Sequence, residues 1–141
     1  MTIPPYDSEP TVRDSLGRQS FMRLLGARAT VVEPGHVVIE VPYREDLCQQ
    51  NGFLHAGVLT SVADSACGYA ALSLMPAGSD VLSVEFKVNL LAPGIGDVFR
   101  ADAHVVRAGR TLTVCQAEVT AARDGQADQQ VALMQATMMT R

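Results

Sequence analysis

The sequence has no tryptophan, and aromatic residues make up only 5% of its 141 positions. Its core must therefore be built from aliphatic and small side chains. There is no basic run, and the net charge is -4 with a pI near 5.2. That balance speaks against nucleic-acid binding. No uninterrupted apolar run is long enough to span a bilayer. The opening MTIPPYDSEP lacks a basic segment followed by an apolar one, so no secretion signal is expected. Three cysteines, Cys48, Cys67 and Cys115, are odd in number and widely spaced. They fit neither a disulfide framework nor a zinc site, and a reducing, cytoplasmic home is the default.

What is present fits one domain with one good core. Hydrophobic residues make up 48%, which argues against disorder. At this size roughly two thirds of the unfolded surface can be buried. Residues 1–12 hold three prolines and read as a mobile arm, which extends to residue 20; the domain itself is placed at 21–141. Where arm and domain meet, DSLGRQSFMRLLG can form a helix with Leu16, Phe21, Leu24 and Leu25 on one stripe, stopped by Gly26. In ATVVEPGHVVIEV, two β-branched runs flank Pro34-Gly35, a hairpin turn. A long apolar helix is expected from about Ala56 to Met75, ended by Pro76 and Gly78.

The period then switches to two. Leu82, Val84, Phe86, Val88 and Leu90 share one face of a strand, with Ser83, Glu85, Lys87 and Asn89 opposite. Three further strands alternate in the same way, giving a four-stranded meander after the helix. The fold class is α+β with an antiparallel sheet. A helix apolar nearly all round belongs inside, so the sheet is expected to wrap around it.

One charge interrupts LHAGVLTSVADSACGYAALSLM: Asp64. No lysine or arginine occurs between Arg44 and Lys87. Burying an unpaired carboxylate costs several kcal/mol. Its neighbours at three and four positions, Thr60, Ser61, Cys67 and Gly68, are small, so this strip of helix can admit a ligand or face water. In a cleft, such a carboxylate can serve as general base or nucleophile. The preceding QQNGFLHAG holds Gly52, Gly57 and, at the helix start, His55. The first amides of a helix are unpaired and sit at the positive end of its dipole, a place to hold an oxyanion. His55 reads as a helix cap in preference to a proton carrier. Cys67, in mid-helix, is a poor nucleophile.

QQNGFLHAGVLTSVADSACGYAA, followed by a strand ending in VNLLAPG, resembles the hot-dog-fold thioesterases. The likeness is to the phenylacetate-pathway branch of the 4-hydroxybenzoyl-CoA thioesterase superfamily, over about residues 20–140. The resemblance implies an antiparallel sheet wrapped around a long central helix. It implies an acyl-CoA substrate, and a homodimer or homotetramer with active sites between subunits. No metal, cofactor, nucleic acid or membrane is implied. Asp64 stands where the family has its nucleophile or base. Ala56, where the family more often has glycine, would lend its N–H to the thioester carbonyl. Gln49 stands where the family often has asparagine six residues before the histidine, with Gln50 and Asn51 following. Ser83 matches a serine that helps position water, although its alternation puts it opposite the apolar face. The substrate would meet Asn51, Gly57 and Ser65, with Arg107 and Arg110 near coenzyme A phosphates or simply solvated. The resemblance implies hydrolysis of an aryl- or medium-chain acyl-CoA; a non-catalytic acyl-CoA sensor is the alternative. A dehydratase is disfavoured, because nine residues separate His55 from Asp64, about two and a half helical turns.

Overall fold

The computed structural model describes residues 2–141. The chain opens with two short helices where one was expected, α1 (Glu9–Arg18) and α2 (Ser20–Leu25). Gln19 separates them in extended conformation, φ -80° and ψ 101°. The break resets the helical phase. Leu16 and Leu25 are buried together with Val12 and Met22, whereas Phe21 and Leu24 face outward. Because α1 seats Val12 and Leu16 in the core, residues 9–20 are not the arm that the prolines indicated. Gly26 ends α2 at φ +71°, a left-handed position that glycine takes without strain.

Strands β1 (Arg28–Glu33) and β2 (His36–Pro42) form the expected hairpin. Helix α3 runs from Ala56 to Leu72, 17 residues and roughly 26 Å. It ends before Met75, because Ser73 Oγ donates to the Ala70 carbonyl and accepts from the Gly35 N–H. Strands β3 (Val81–Leu90), β4 (Val98–Ala108), β5 (Leu112–Ala122) and β6 (Gln129–Thr140) complete one antiparallel sheet. Its order is β1-β2-β4-β5-β6-β3. The meander therefore holds only for β4 to β6. Strand β3 crosses over and pairs with β6 at the far end of the sheet, leaving its other edge unpaired.

Helix α3 lies across the sheet and packs against β2 through β6. The faces that meet are rich in alanine: Ala63, Ala66 and Ala70 on the helix, Ala103, Ala117 and Ala136 on the strands, all fully buried. Small residues let helix and sheet approach closely, which is how a chain without tryptophan closes its core. The inward faces of β4, β5 and β6 follow the expected alternation.

Strand β3 does not. Leu82, Val84, Phe86 and Leu90 are 43–52% exposed. The register slips by one residue between Ser83 and Glu85, a bulge at Val84. Ser83 lies opposite buried Met138 and so faces the helix. After the bulge, Phe86 and Val88 take that side, opposite Ala136 and Met134. One extra residue thus inverts the phase, and period-two counting through it misplaces Ser83.

Candidate active site

Asp64 sits half-buried near the middle of α3. Its Oδ1 accepts a hydrogen bond of 2.6 Å from Ser83 Oγ. The bulge makes this contact by turning Ser83 inward. A hydrogen bond of this length holds the carboxylate in one rotamer, and Asp64 lines a cavity of about 380 Å³. Ser65, Gly68, Tyr69 and Leu82 line that cavity, together with Ser15, Arg18 and Gln19 from the N-terminal helices. Arg18 at its rim is engaged by Asp14 at 2.9 Å.

The start of α3 forms a second constellation. His55 is the N-cap, and its Nδ1 accepts from the Gly57 N–H at 2.8 Å. The ring therefore carries its proton on Nε2 and acts as the cap expected of it. The Ala56 N–H has no acceptor among the described residues. Ala56 lines another cavity, about 410 Å³, together with Phe53, Leu59, Leu90, Pro93 and Gly94. Gln49 folds its side-chain oxygen back onto the N–H groups of Asn51 and Phe53. That bond shapes the loop and leaves the Gln49 amide N–H groups without a partner among the described residues. The Pro93-Gly94 element braces the same loop: the Gly94 carbonyl accepts from the Leu54 N–H at 2.9 Å. A Cβ on Gly94 would stand 2.9 Å from the Leu54 carbonyl, so only glycine allows this approach.

Eight residues of helix, roughly 12 Å, separate the Ala56 amide from Asp64. Within one chain the free amide and the carboxylate cannot reach the same small group. They line two different cavities.

The other expected residues divide as follows. Ser65 lies in the Asp64 cavity, with its Oγ toward Gln19. The Gly57 N–H is used by the cap. Asn51 is exposed and lines a groove with Tyr43 and Ile95, away from Asp64. Arg107 and Arg110 are exposed at the β4–β5 hairpin and outside the Asp64 cavity. Burial pushes the Cys67 thiol well above its ordinary range, with Cys115 and Asp64 nearby adding to the effect, so it is no nucleophile. Sequence reasoning missed Ser15, Gln19 and Tyr69. The first two lay in the supposed arm. Tyr69, the one aromatic residue of α3, was the one visible signal.

Among the described residues, no helix is long and apolar enough to cross a membrane. Among the described residues, no three His, Cys, Asp or Glu side chains gather as a metal site.

A family model described as the thioesterase superfamily matches residues 51–127, the stretch from Asn51 through α3 to the turn between β5 and β6. The crystal structure of a thioesterase family protein from Silicibacter pomeroyi is similar at 53% identity, with a TM-score of 0.89, over 92% of this chain and 94% of that one. The Escherichia coli PaaI protein from the phenylacetic acid degradation operon shares the fold, at a TM-score of 0.84 and 20% identity over 96% and 94% of the two chains. The 1,4-dihydroxy-2-naphthoyl-CoA hydrolase of Listeria monocytogenes is 26% identical over 96 residues, 68% of this chain and 78% of that protein. With α3 laid across one antiparallel sheet and the matched segment covering more than half of its length, the chain belongs to the hot-dog thioesterase superfamily and is a thioester hydrolase.

Proposed function

We propose that the chain hydrolyses an aryl- or medium-chain acyl-CoA, in sites completed between two copies of itself. One observation carries this reading: the Asp64 carboxylate and the free Ala56 N–H lie too far apart in one chain to act on one thioester. The unpaired edge of β3, with Leu82, Val84 and Phe86 exposed beside it, supports a second copy continuing the sheet there. The CoA hydrolase among the relatives supports the thiol. Three free cysteines, two of them buried, fit the cytoplasm.

In this reading the Ala56 N–H of one subunit and the Gln49 amide polarise the thioester carbonyl. Such a donor lowers the barrier by roughly 3–4 kcal/mol. Asp64 of the other subunit, oriented by Ser83, takes a proton from a water whose oxygen attacks the carbonyl carbon. The tetrahedral intermediate collapses, the C–S bond breaks, and the sulfur leaves with the proton returned from Asp64. The products are the acid and coenzyme A, and Asp64 is again ionised.

The test is free-thiol release from phenylacetyl-, hydroxybenzoyl-, and short and medium aliphatic acyl-CoAs, for the wild type and Asp64→Asn. A loss of at least about a hundredfold in kcat in a folded variant supports the reading. Binding of acyl-CoAs with no turnover by either protein would overturn it in favour of a sensor.

A further inference from the structure

We infer that Gly94 is a positioning residue for thioester hydrolysis: its carbonyl and its missing side chain together hold the Ala56 N–H in the direction from which it meets the substrate carbonyl. This deepens the acyl-CoA hydrolase reading and rests on it.

Five consecutive amides run through the start of α3, and four of them are spent. The Leu54 N–H donates to the Gly94 carbonyl at 2.9 Å, and the His55 N–H to the Leu47 carbonyl at 3.0 Å. The Gly57 N–H donates to His55 Nδ1 at 2.8 Å, and the Val58 N–H to the His55 carbonyl at 2.9 Å. Among the described residues, only the Ala56 N–H in their midst has no acceptor. A peptide unit is planar, so the direction of that N–H follows from the backbone dihedrals on either side of it. The four spent amides hold those dihedrals.

Gly94 is the anchor on the upstream side. Leu54 is buried at 2% exposure, bridged to Cys48 and bonded to Gly94. The segment that carries Gly94 is itself fastened to the sheet. The Leu91 N–H donates to the Val131 carbonyl and the Asp97 N–H to the Ala122 carbonyl, both at 2.8 Å. Gly94 has no positive φ, so no backbone strain calls for glycine there. Space does. A Cβ at Gly94 would stand 2.9 Å from the Leu54 carbonyl oxygen, 3.1 Å from its Cβ and 3.2 Å from its nitrogen. Ordinary contact begins near 3.4 Å, so about half an ångström must be yielded. The loop yields it, because the Gly94 segment is tied to the sheet at both ends. A displaced Leu54 takes His55 and Ala56 with it. Leu54, Ala56 and Gly94 line one cavity, so the shift falls where the thioester carbonyl would be held. Misplacing a reacting geometry by about 1 Å costs on the order of a hundredfold in rate.

A tight crossing can also serve packing alone. A packing defect acts whether or not the Ala56 N–H exists, so the test is a double-mutant cycle with Ala56→Pro, which removes that N–H. Thiol release from the acyl-CoA turned over fastest is measured for wild type, Gly94→Ala, Ala56→Pro and the double variant, at a temperature where circular dichroism shows each folded. Gly94→Ala alone is expected to lose about ten- to a hundredfold in kcat, with KM within about twofold. On the Ala56→Pro background the same change should cost less than about twofold. If Gly94→Ala does not fold, the Leu54 amide is replaced by an ester, which deletes the N–H bonded to Gly94 and adds no bulk. That variant should lose about fivefold or more in kcat, and again nothing further beside Ala56→Pro. An unchanged kcat, or an equal loss on both backgrounds, overturns the inference and leaves the hydrolase reading intact. Full activity of Ala56→Pro removes the role of that N–H and the inference with it, and no turnover of any acyl-CoA by the wild type removes both readings.

Discussion

Ser83 Oγ and Asp64 Oδ1 lie 2.6 Å apart, joining an edge strand to the central helix across 19 residues of sequence. The bond exists because a one-residue bulge turns Ser83 toward α3. Ser83→Ala should leave the carboxylate in place but free to rotate. A drop of roughly tenfold in kcat is expected, with KM within about twofold. An unchanged kcat would remove Ser83 from the catalytic arrangement.

Ala56 permits an unusually clean backbone test. It is the first residue of α3, where proline is tolerated, and His55 before it is already extended at ψ 138°. Ala56→Pro therefore deletes the N–H while keeping the helix. A loss of about a hundred- to a thousandfold in kcat is expected, without loss of fold by circular dichroism.

Shared sites also predict rescue. A heterodimer of Asp64→Asn and Ala56→Pro chains would contain one site with both groups intact and one with neither. Co-refolding equal amounts should restore about a quarter of wild-type activity if subunits mix at random, since half the dimers are mixed and each has one working site. If both groups act within one chain, mixing restores nothing.

The exposed side chains of β3 make a further expectation. Phe86→Glu should reduce the mass in light scattering to that of one chain and abolish thioester hydrolysis together. A fully active monomer would refute sites between subunits.

The buried thiols set an alkaline limit. Burial pushes Cys115 up to about 12 from an ordinary value of 9.0, and Cys67 is raised further. Unfolded chains release these protons first, so above pH 9 the unfolded state binds fewer protons than the native one. Stability should therefore be intact below about pH 9 and fall as pH rises toward 12. Cys115→Ala should flatten the decline in melting temperature over that window. At neutral pH a thiol reagent should reach only half-buried Cys48 in the native protein, and all three cysteines after denaturation.

Much of this was legible in the residues. The hairpin around Pro34-Gly35, the apolar α3 and the alternation in β4, β5 and β6 are local patterns, and periodicity reports local patterns. Asp64 stood out because it is the lone charge in its stretch. What escaped was non-local or hidden in phase. Nothing within β3 says that its partner is β6 and not β4. The bulge at Val84 inverts every later position of the strand, and the break at Gln19 does the same for the first helix. Ser83 and the stripe of Leu16, Phe21, Leu24 and Leu25 were misjudged for one reason: an interruption of a regular element re-aimed side chains that counting had assigned elsewhere.

The crossover of β3 has a consequence for how the protein comes into being. A ribosome delivers Asp64 and Ser83 early, but the strand that holds Ser83 in place, β6, begins only at Gln129. Until residues 129–140 emerge, β3 has no neighbour in the sheet, and its apolar side chains are open to any other strand edge. The proposed hydrolytic centre is thus assembled late in synthesis, and a ribosome stalled before β6 is expected to expose an unpaired, aggregation-prone strand beside an unoriented carboxylate.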